Sequence, residues 1–263
     1  MDLDELAKRA GLSREEVERQ IELARRSLVP KAERINVIEN GVRSSLHITR
    51  DGVGPINTQF GTFQHFVFRL DDKWSKYSVL VKAPLSPEFR PQFSGHHLLL
   101  RIDSGCETGQ VFGDRTCECR QQLELGMKHI ADAGEGCLMS IPRQDGRGLG
   151  LPFKLATLRL QEELSLNTVE ASKMIDPDGL RDTRTYAGVI GILKFFGVPK
   201  EMQVRLASNN PSKLTIFHEN GYENSILTPI VIEPTEFTRQ HLIAKQQELG
   251  HINLVTNDEG GLP

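Results

Sequence analysis

No apolar run in this 263-residue chain approaches the ~20 residues that a membrane-spanning helix needs. Basic charge is not in excess: 32 Lys and Arg stand against 35 Asp and Glu, a formal net charge of −3. That balance excludes the broad positive surface on which nucleic-acid binding rests. The opening MDLDELAKRAGL is acidic and amphipathic, which argues against an export or transit signal. Neither an internal repeat nor a GK[ST] phosphate loop occurs. Cysteine is scarce, at four residues. The expected setting is cytoplasmic and reducing, where thiols stay free. Hydrophobic residues at 38% and charged residues at 25% describe an ordinary globular protein.

The little cysteine there is lies together. Cys106, Cys117 and Cys119 share the run RIDSGCETGQVFGDRTCECRQQLE, with spacing C-x₁₀-C-x-C. Zinc takes Cys and His ligands in a tetrahedron, and a catalytic zinc keeps three protein ligands and one open position. Three thiols with no fourth ligand nearby fit that open type. The plainer readings are a disulfide with a spare thiol, or buried small hydrophobes. Cys117 and Cys119 are too close in sequence to bridge easily. Cys137, in EGCLMSI, reads as a buried strand residue without chemistry.

The first thirty residues read as helix, with Ser13 and Glu16 in a capping-box pattern. LAKRAGLSREEV has a helix-turn-helix rhythm, but basic recognition residues are sparse, and a packing or dimerisation appendage suits it better. Residues 45 to 103 are β-rich, through SLHITR, FGTFQHFVFRL, YSVLVKA and HLLLRID. Helix is expected from Arg120 to about Ala133, GCLMSI as a strand, and another helix over Thr185 to Phe196. VRLAS and ILTPIVI read as strands, Pro211 as a helix start, and Glu236 to Leu249 as a final helix. Strands and helices alternate in the second half, so the fold class is α/β, a mixed α+β single domain. The expected division is a helical extension at 1–43, a catalytic domain at 44–250 and a flexible polar tail at 251–263.

Three further segments carry chemistry. RQDGRGLGLPFK sets glycines among Arg143, Arg147 and Lys154, so backbone can approach a ligand while arginines bind phosphate oxygens. A solvated basic turn is the plainer reading. SNNPSK puts Ser208, Asn209 and Asn210 after a strand and Lys213 in a first helical turn, where anions are favoured and lysine is not. An Asn-capped helix is its ordinary alternative. Asp182 and Arg184 are a base and a cation for a reacting centre, or a surface pair. Together, a zinc-like site and cationic anion sites suggest metal-assisted hydrolysis of a phosphorylated compound.

From about residue 97 to 250 the chain resembles GTP cyclohydrolase II of riboflavin biosynthesis. The likeness rests on the cysteine cluster with Gln122 behind it, RQDGRGLGL, NTVEAS, D-x-R followed by Tyr186, and SNNPSK, in that order. It implies a zinc-dependent homodimer that also uses Mg2+, opens the imidazole ring of GTP at C8, and releases formate and pyrophosphate. A diaminopyrimidinone ribosylamino 5′-phosphate remains. Carried over by position, Cys106, Cys117 and Cys119 are the zinc ligands. Arg101, Ile102, Asp103, Ser104 and Gly105 contact nucleotide. Gln122, Asp145, Gly146, Arg147, Thr168, Ser208 and Lys213 match GTP-binding positions, with Glu170 near the base. Asp182 matches the proton acceptor, and Arg184 the nucleophile toward the α-phosphate.

Four positions depart from the family. Glutamate is usual where Gly105 and Asp145 stand, and threonine where Ser208 stands. A tyrosine at the reaction centre falls at Leu158, which can donate neither a hydrogen bond nor a proton. The alternatives are therefore an enzyme that stops at a formylamino pyrimidine, or one that opens another nucleotide base. A non-enzymatic zinc or nucleotide-binding protein is a third reading.

Overall fold

The computed structural model of the chain describes residues 2–71, 75–142, 144–176 and 182–255. Two helices open it, α1 (Leu3–Ala10) and α2 (Arg14–Ser27). Ser13 Oγ accepts from the Glu16 backbone N–H at 3.1 Å, closing the α2 N-terminus as the sequence suggests. Helix ends sooner than the expected extension. In ERINVIE, buried Ile35 and Val37 alternate with polar residues, and β1 (Lys31–Glu39) pairs antiparallel with β2 (Val42–Thr58). So short an alternation among charged residues is ambiguous until its partner strand is known.

β2 continues well past SLHITR, through a bulge between Arg50 and Gly52 that keeps the Gly- and Pro-containing stretch in the sheet. β3 (Gly61–Leu70) and β4 (Lys76–Lys82) complete an antiparallel meander. The later strands are β5 (His97–Asp103), β6 (Gly136–Ser140), β7 (Gln203–Ala207) and β8 (Ile226–Thr228). β6 pairs antiparallel with β4, while β6–β5, β5–β7 and β7–β8 are parallel. The order is β1-β2-β3-β4-β6-β5-β7-β8, a mixed sheet whose parallel half lies at one side. The expected strand ILTPIVI stops before Pro229, which has no N–H for a ladder.

Strand alternation separates two apolar layers. Val79, Val81, Leu98, Leu100, Cys137 and Met139 face α7 (Ala187–Phe196), an apolar helix buried almost throughout. Leu138 and Phe63 meet Ile130 of α4 (Cys119–Ala133) on the other face. The chain leaves β5 through α4 to reach β6. It then passes back beyond β5, through α5 (Leu151–Leu164), α6 (Thr168–Ile175) and α7, to reach β7. The β5–β6 and β6–β7 connections run on opposite faces of the sheet and open a crevice at the carboxyl ends of β5, β6 and β7, the usual ligand position of parallel sheets.

The last helix, α9 (Arg239–Glu248), starts three residues later than expected. The tail expected to be flexible is tied down over its first five residues. Asn209 Nδ2 donates to the Ile252 carbonyl at 2.9 Å, and Ile252 N–H returns a bond of 2.9 Å to the Asn209 carbonyl. Leu254 and Val255 N–H groups donate to Gln246 Oε1. Residues 256–263 of that tail, and Arg143, lie outside the described residues.

Candidate active site and metal centre

The carboxyl end of β5 supplies the first pieces. Alternation turns Arg101 away from the α7 core and under α4, where Gly126 makes room: a Cβ there would lie 3.0 Å from Arg101 Cγ. Buried Arg101 donates to the Ala207 carbonyl at 3.0 Å and to Gln122 Oε1 at 2.9 Å, and its Nε has no partner among the described residues. Asp103 is fully buried and braces the turn, accepting from Gly105 N–H at 2.9 Å and Gln110 Nε2 at 2.8 Å. Gly105 takes φ +59°, and a Cβ would sit 3.1 Å from the Ile141 carbonyl oxygen. Glycine is suited to that turn, and the glutamate expected of the family would be strained in it.

Next comes the thiol cluster. Cys106 caps α3 (Glu107–Gln110), Cys117 lies in the loop just before α4, and Cys119 opens that helix. All four cysteines are free, which removes the disulfide alternative. The Cys106, Cys117 and Cys119 sulfurs lie within 4.8 Å of one another. A tetrahedral site with metal–sulfur bonds of ~2.3 Å separates its sulfurs by ~3.8 Å; Cys106 and Cys117 sulfurs are 3.8 Å apart. Gly109 leaves the space, since a Cβ there would lie 2.4 Å from Cys117 Sγ. Hydrogen bonds from Cys117 and Cys119, with help from Lys154, hold the Cys106 thiol far below its ordinary range. The same bonds leave Cys117 pushed up to about 11 and Cys119 well above the usual thiol value. One thiolate opposing two further ionisations is an arrangement a divalent cation relieves by displacing the protons. The residues fit a metal ion. Lys154 Nζ closes the cluster, 2.8 Å from Cys106 Sγ and 2.6 Å from Thr108 Oγ1.

Cations line the rest of the same cavity. Arg147, in a 3-10 turn at Asp145–Gly148, accepts a bond of 3.0 Å from Thr183 N–H at its carbonyl. A Cβ on Gly148 would meet Thr183 Oγ1 at 2.6 Å and Arg184 N at 2.9 Å, so this turn lies directly against the D-x-R segment. Arg184 Nε donates to Asp182 Oδ1 at 2.8 Å, and a second bond joins Arg184 Nη2 to Asp182 Oδ2. Burial, and then the charges of Arg101 and Arg184, push Lys213 down to about 7. Its ammonium lies 5.4 Å from the Tyr186 ring centroid. The helix expected at Pro211 is a 3-10 turn, Pro211–Lys213, followed by the short α8 (Leu214–Glu219). So short a helix adds little dipole, and the attraction for anions comes from side-chain charge.

Of the residues expected at the site, Arg101, Ile102, Ser104, Gln122, Asp145, Gly146, Arg147, Thr168, Arg184, Ser208, Lys213 and the thiols Cys106, Cys117 and Cys119 line this one cavity. Asp103 and Gly105 shape its turn instead. Asp182 stands behind Arg184. Glu170 is exposed and not among the residues lining the cavity, and its carboxylate accepts the Asn167 N–H at 2.8 Å in a capping box at the start of α6. Leu158 of α5 lies in the cavity wall.

Sequence reading missed the contribution of the C-terminus. His241, Lys245, His251 and Leu254 also line the cavity. His241 and Lys245 stand four residues apart on α9, a spacing that puts both on one helix face and was the available signal. Burial, and then Lys245 and Arg184, lower His251 to about 4.

Residues 50–224 match the model of the family described as GTP cyclohydrolase II. The chain is 33% identical over 196 residues to GTP cyclohydrolase-2 of Picrophilus torridus, covering 74% of this chain and 94% of that protein. It is 33% identical over 220 residues to GTP cyclohydrolase-2 of Streptomyces coelicolor, covering 83% and 93%. The riboflavin biosynthesis protein RibBA of Parabacteroides distasonis is 30% identical over 217 residues, 82% of this chain and 48% of that longer protein.

Proposed function

Because this chain belongs to the GTP cyclohydrolase II family and is a hydrolase, we propose that it opens the imidazole ring of GTP at C8. The products of the full reaction are formate, pyrophosphate and the diaminopyrimidinone ribosylamino 5′-phosphate. The observation that carries this is one cavity holding three free thiols within 4.8 Å of one another together with Lys213, Arg184 and Arg147. Cys106, Cys117 and Cys119 would hold zinc, which when bound supplies Lewis acidity and brings the ionisation of water near neutral pH.

The chain's own groups supply the remainder. Lys213 stands near the guanidiniums of Arg101 and Arg184, which Asp103 and Asp182 only partly offset, and it forms no ion pair among the described residues, so an arriving triphosphate relieves its burial cost. Arg147 and Arg101 add charge in a site shielded from bulk water, where it counts most toward the leaving pyrophosphate. Arg184, hydrogen-bonded to Asp182, stays cationic as found. Acting as nucleophile toward the α-phosphate requires Asp182 to take its proton, and the 2.8 Å bond is the route. In the same reading, magnesium travels with the triphosphate and the active form is a homodimer in the cytoplasm.

Leu158 favours a second reading. A leucine in the cavity wall has no proton to give, so deformylation slows and the formylamino pyrimidine accumulates. Incubation of zinc-loaded protein with GTP and magnesium, with mass detection of nucleotide products and a formate assay, separates the two. Stoichiometric formate supports the full reaction. A product that retains the formyl group, and loses it in Leu158→Tyr, supports the second. Unconsumed GTP overturns both and leaves another nucleotide base as substrate.

A further inference from the structure

The family match ends at residue 224, yet the wall facing the cysteine turn comes from beyond it. Between Gln110 and Cys119 the backbone has no regular structure, and Glu118 sits between two of the thiols. Its side chain is buried, and one carboxylate oxygen has no partner. The other accepts from Lys245 Nζ of α9 at 2.6 Å and, more weakly, from Gln122 Nε2 at 3.3 Å, so Lys245 is its only cationic partner among the described residues. Helix α9 is itself fixed at independent points. Lys173 Nζ of α6 donates to Glu248 at 3.0 Å, and the following residues are bonded to Asn209. Upstream, Arg115 stacks on Phe237 at 3.9 Å.

We propose that Lys245 is a positioning residue for the metal centre, clamping the Cys117–Glu118–Cys119 turn to α9 through an ion pair with the buried Glu118, Lys245 itself being half-buried. Charge supports the pairing. Three thiolates around a divalent cation would leave one negative charge beside Lys154, which also stands 3.9 Å from Asp145, and Glu118 adds another, which Lys245 offsets. Removing Lys245 leaves a buried carboxylate between two ligands without its counter-charge, held only by the amide of Gln122, and the turn must move to hydrate it. Coupling between two sites is reciprocal, so metal held by the turn also steadies α9.

The inference rests on the zinc reading above, and its tests use full-length protein without GTP. Zinc is titrated out of each variant with a chelator. Lys245→Met loses zinc at a chelator concentration at least tenfold lower than the unmodified protein. Lys245→Arg, which keeps the charge, stays close to it. Lys173→Met, which cuts the outer tie of the same helix, leaves retention unchanged. Wild-type retention in a folded Lys245→Met overturns the clamp alone. An unmodified protein that never holds zinc overturns the zinc reading and the clamp together. A second measurement needs no variant: chelating zinc from the unmodified protein speeds amide exchange in Arg239–Glu248 as well as in 111–118. Faster exchange confined to 111–118 sinks the clamp.

Discussion

Lys213 is a half-buried ammonium beside two guanidiniums, and its protonation is tied to occupancy of the cavity. Free, it loses its proton near pH 7; a bound polyanion favours the charged form and raises that value. Affinity for GTP is therefore fully present below pH 7 and falls as pH rises from there toward the bound value. Calorimetry in buffers of differing ionisation heat should record proton uptake on binding between pH 7 and 8. Lys213→Met should bind weakly and without that uptake; binding with no proton exchange in the unmodified protein would refute the linkage. Gly109 is the other decisive residue. Alanine there puts a methyl 2.4 Å from the Cys117 sulfur. Gly109→Ala should cost about 1–3 kcal/mol by overpacking and lower zinc retention, read by metal analysis after dialysis.

At the scale of elements, the 3-10 turn at Asp145–Gly148 and the D-x-R segment are one unit. Gly148 takes φ +89° and touches Thr183 and Arg184, so a side chain there pushes Arg184 off its position. Gly148→Ala should lower kcat on the order of 100-fold, since small misplacements near the reacting atoms are costly. Its metal content should not change, because the thiols stand on other elements; a loss of metal would show that the two halves of the site are not separable. The turn's glycines and arginines were legible in RQDGRGLGL. Its contact with Thr183 was not, because nothing in local spacing tells which distant loop a glycine must admit. Likewise the strand at ERINVIE looked like the end of a helical extension until β2 lay beside it.

Across the whole molecule, the candidate metal centre draws on the start of α3, the loop before α4, α4 itself and Lys154 of α5, so metal binding there would favour the folded state over the unfolded chain. Stripping metal with a chelator should lower Tm, and zinc should restore it. An unchanged Tm in stripped protein would mean that the cluster folds without help. The sequence by itself determined the donors: three close thiols, the cationic turn after β6, Lys213 after β7, and the alternation that turns Arg101 from the core. These are local patterns, fixed by residue type and by strand and helix periods. Tertiary structure alone decided which groups share the cavity. Glu170 lies outside it, in a helix cap, and Lys245 and His251 enter it because the chain folds back over the cysteine turn. That return joins residues 127 positions apart, a distance at which no periodicity carries information and only packing does.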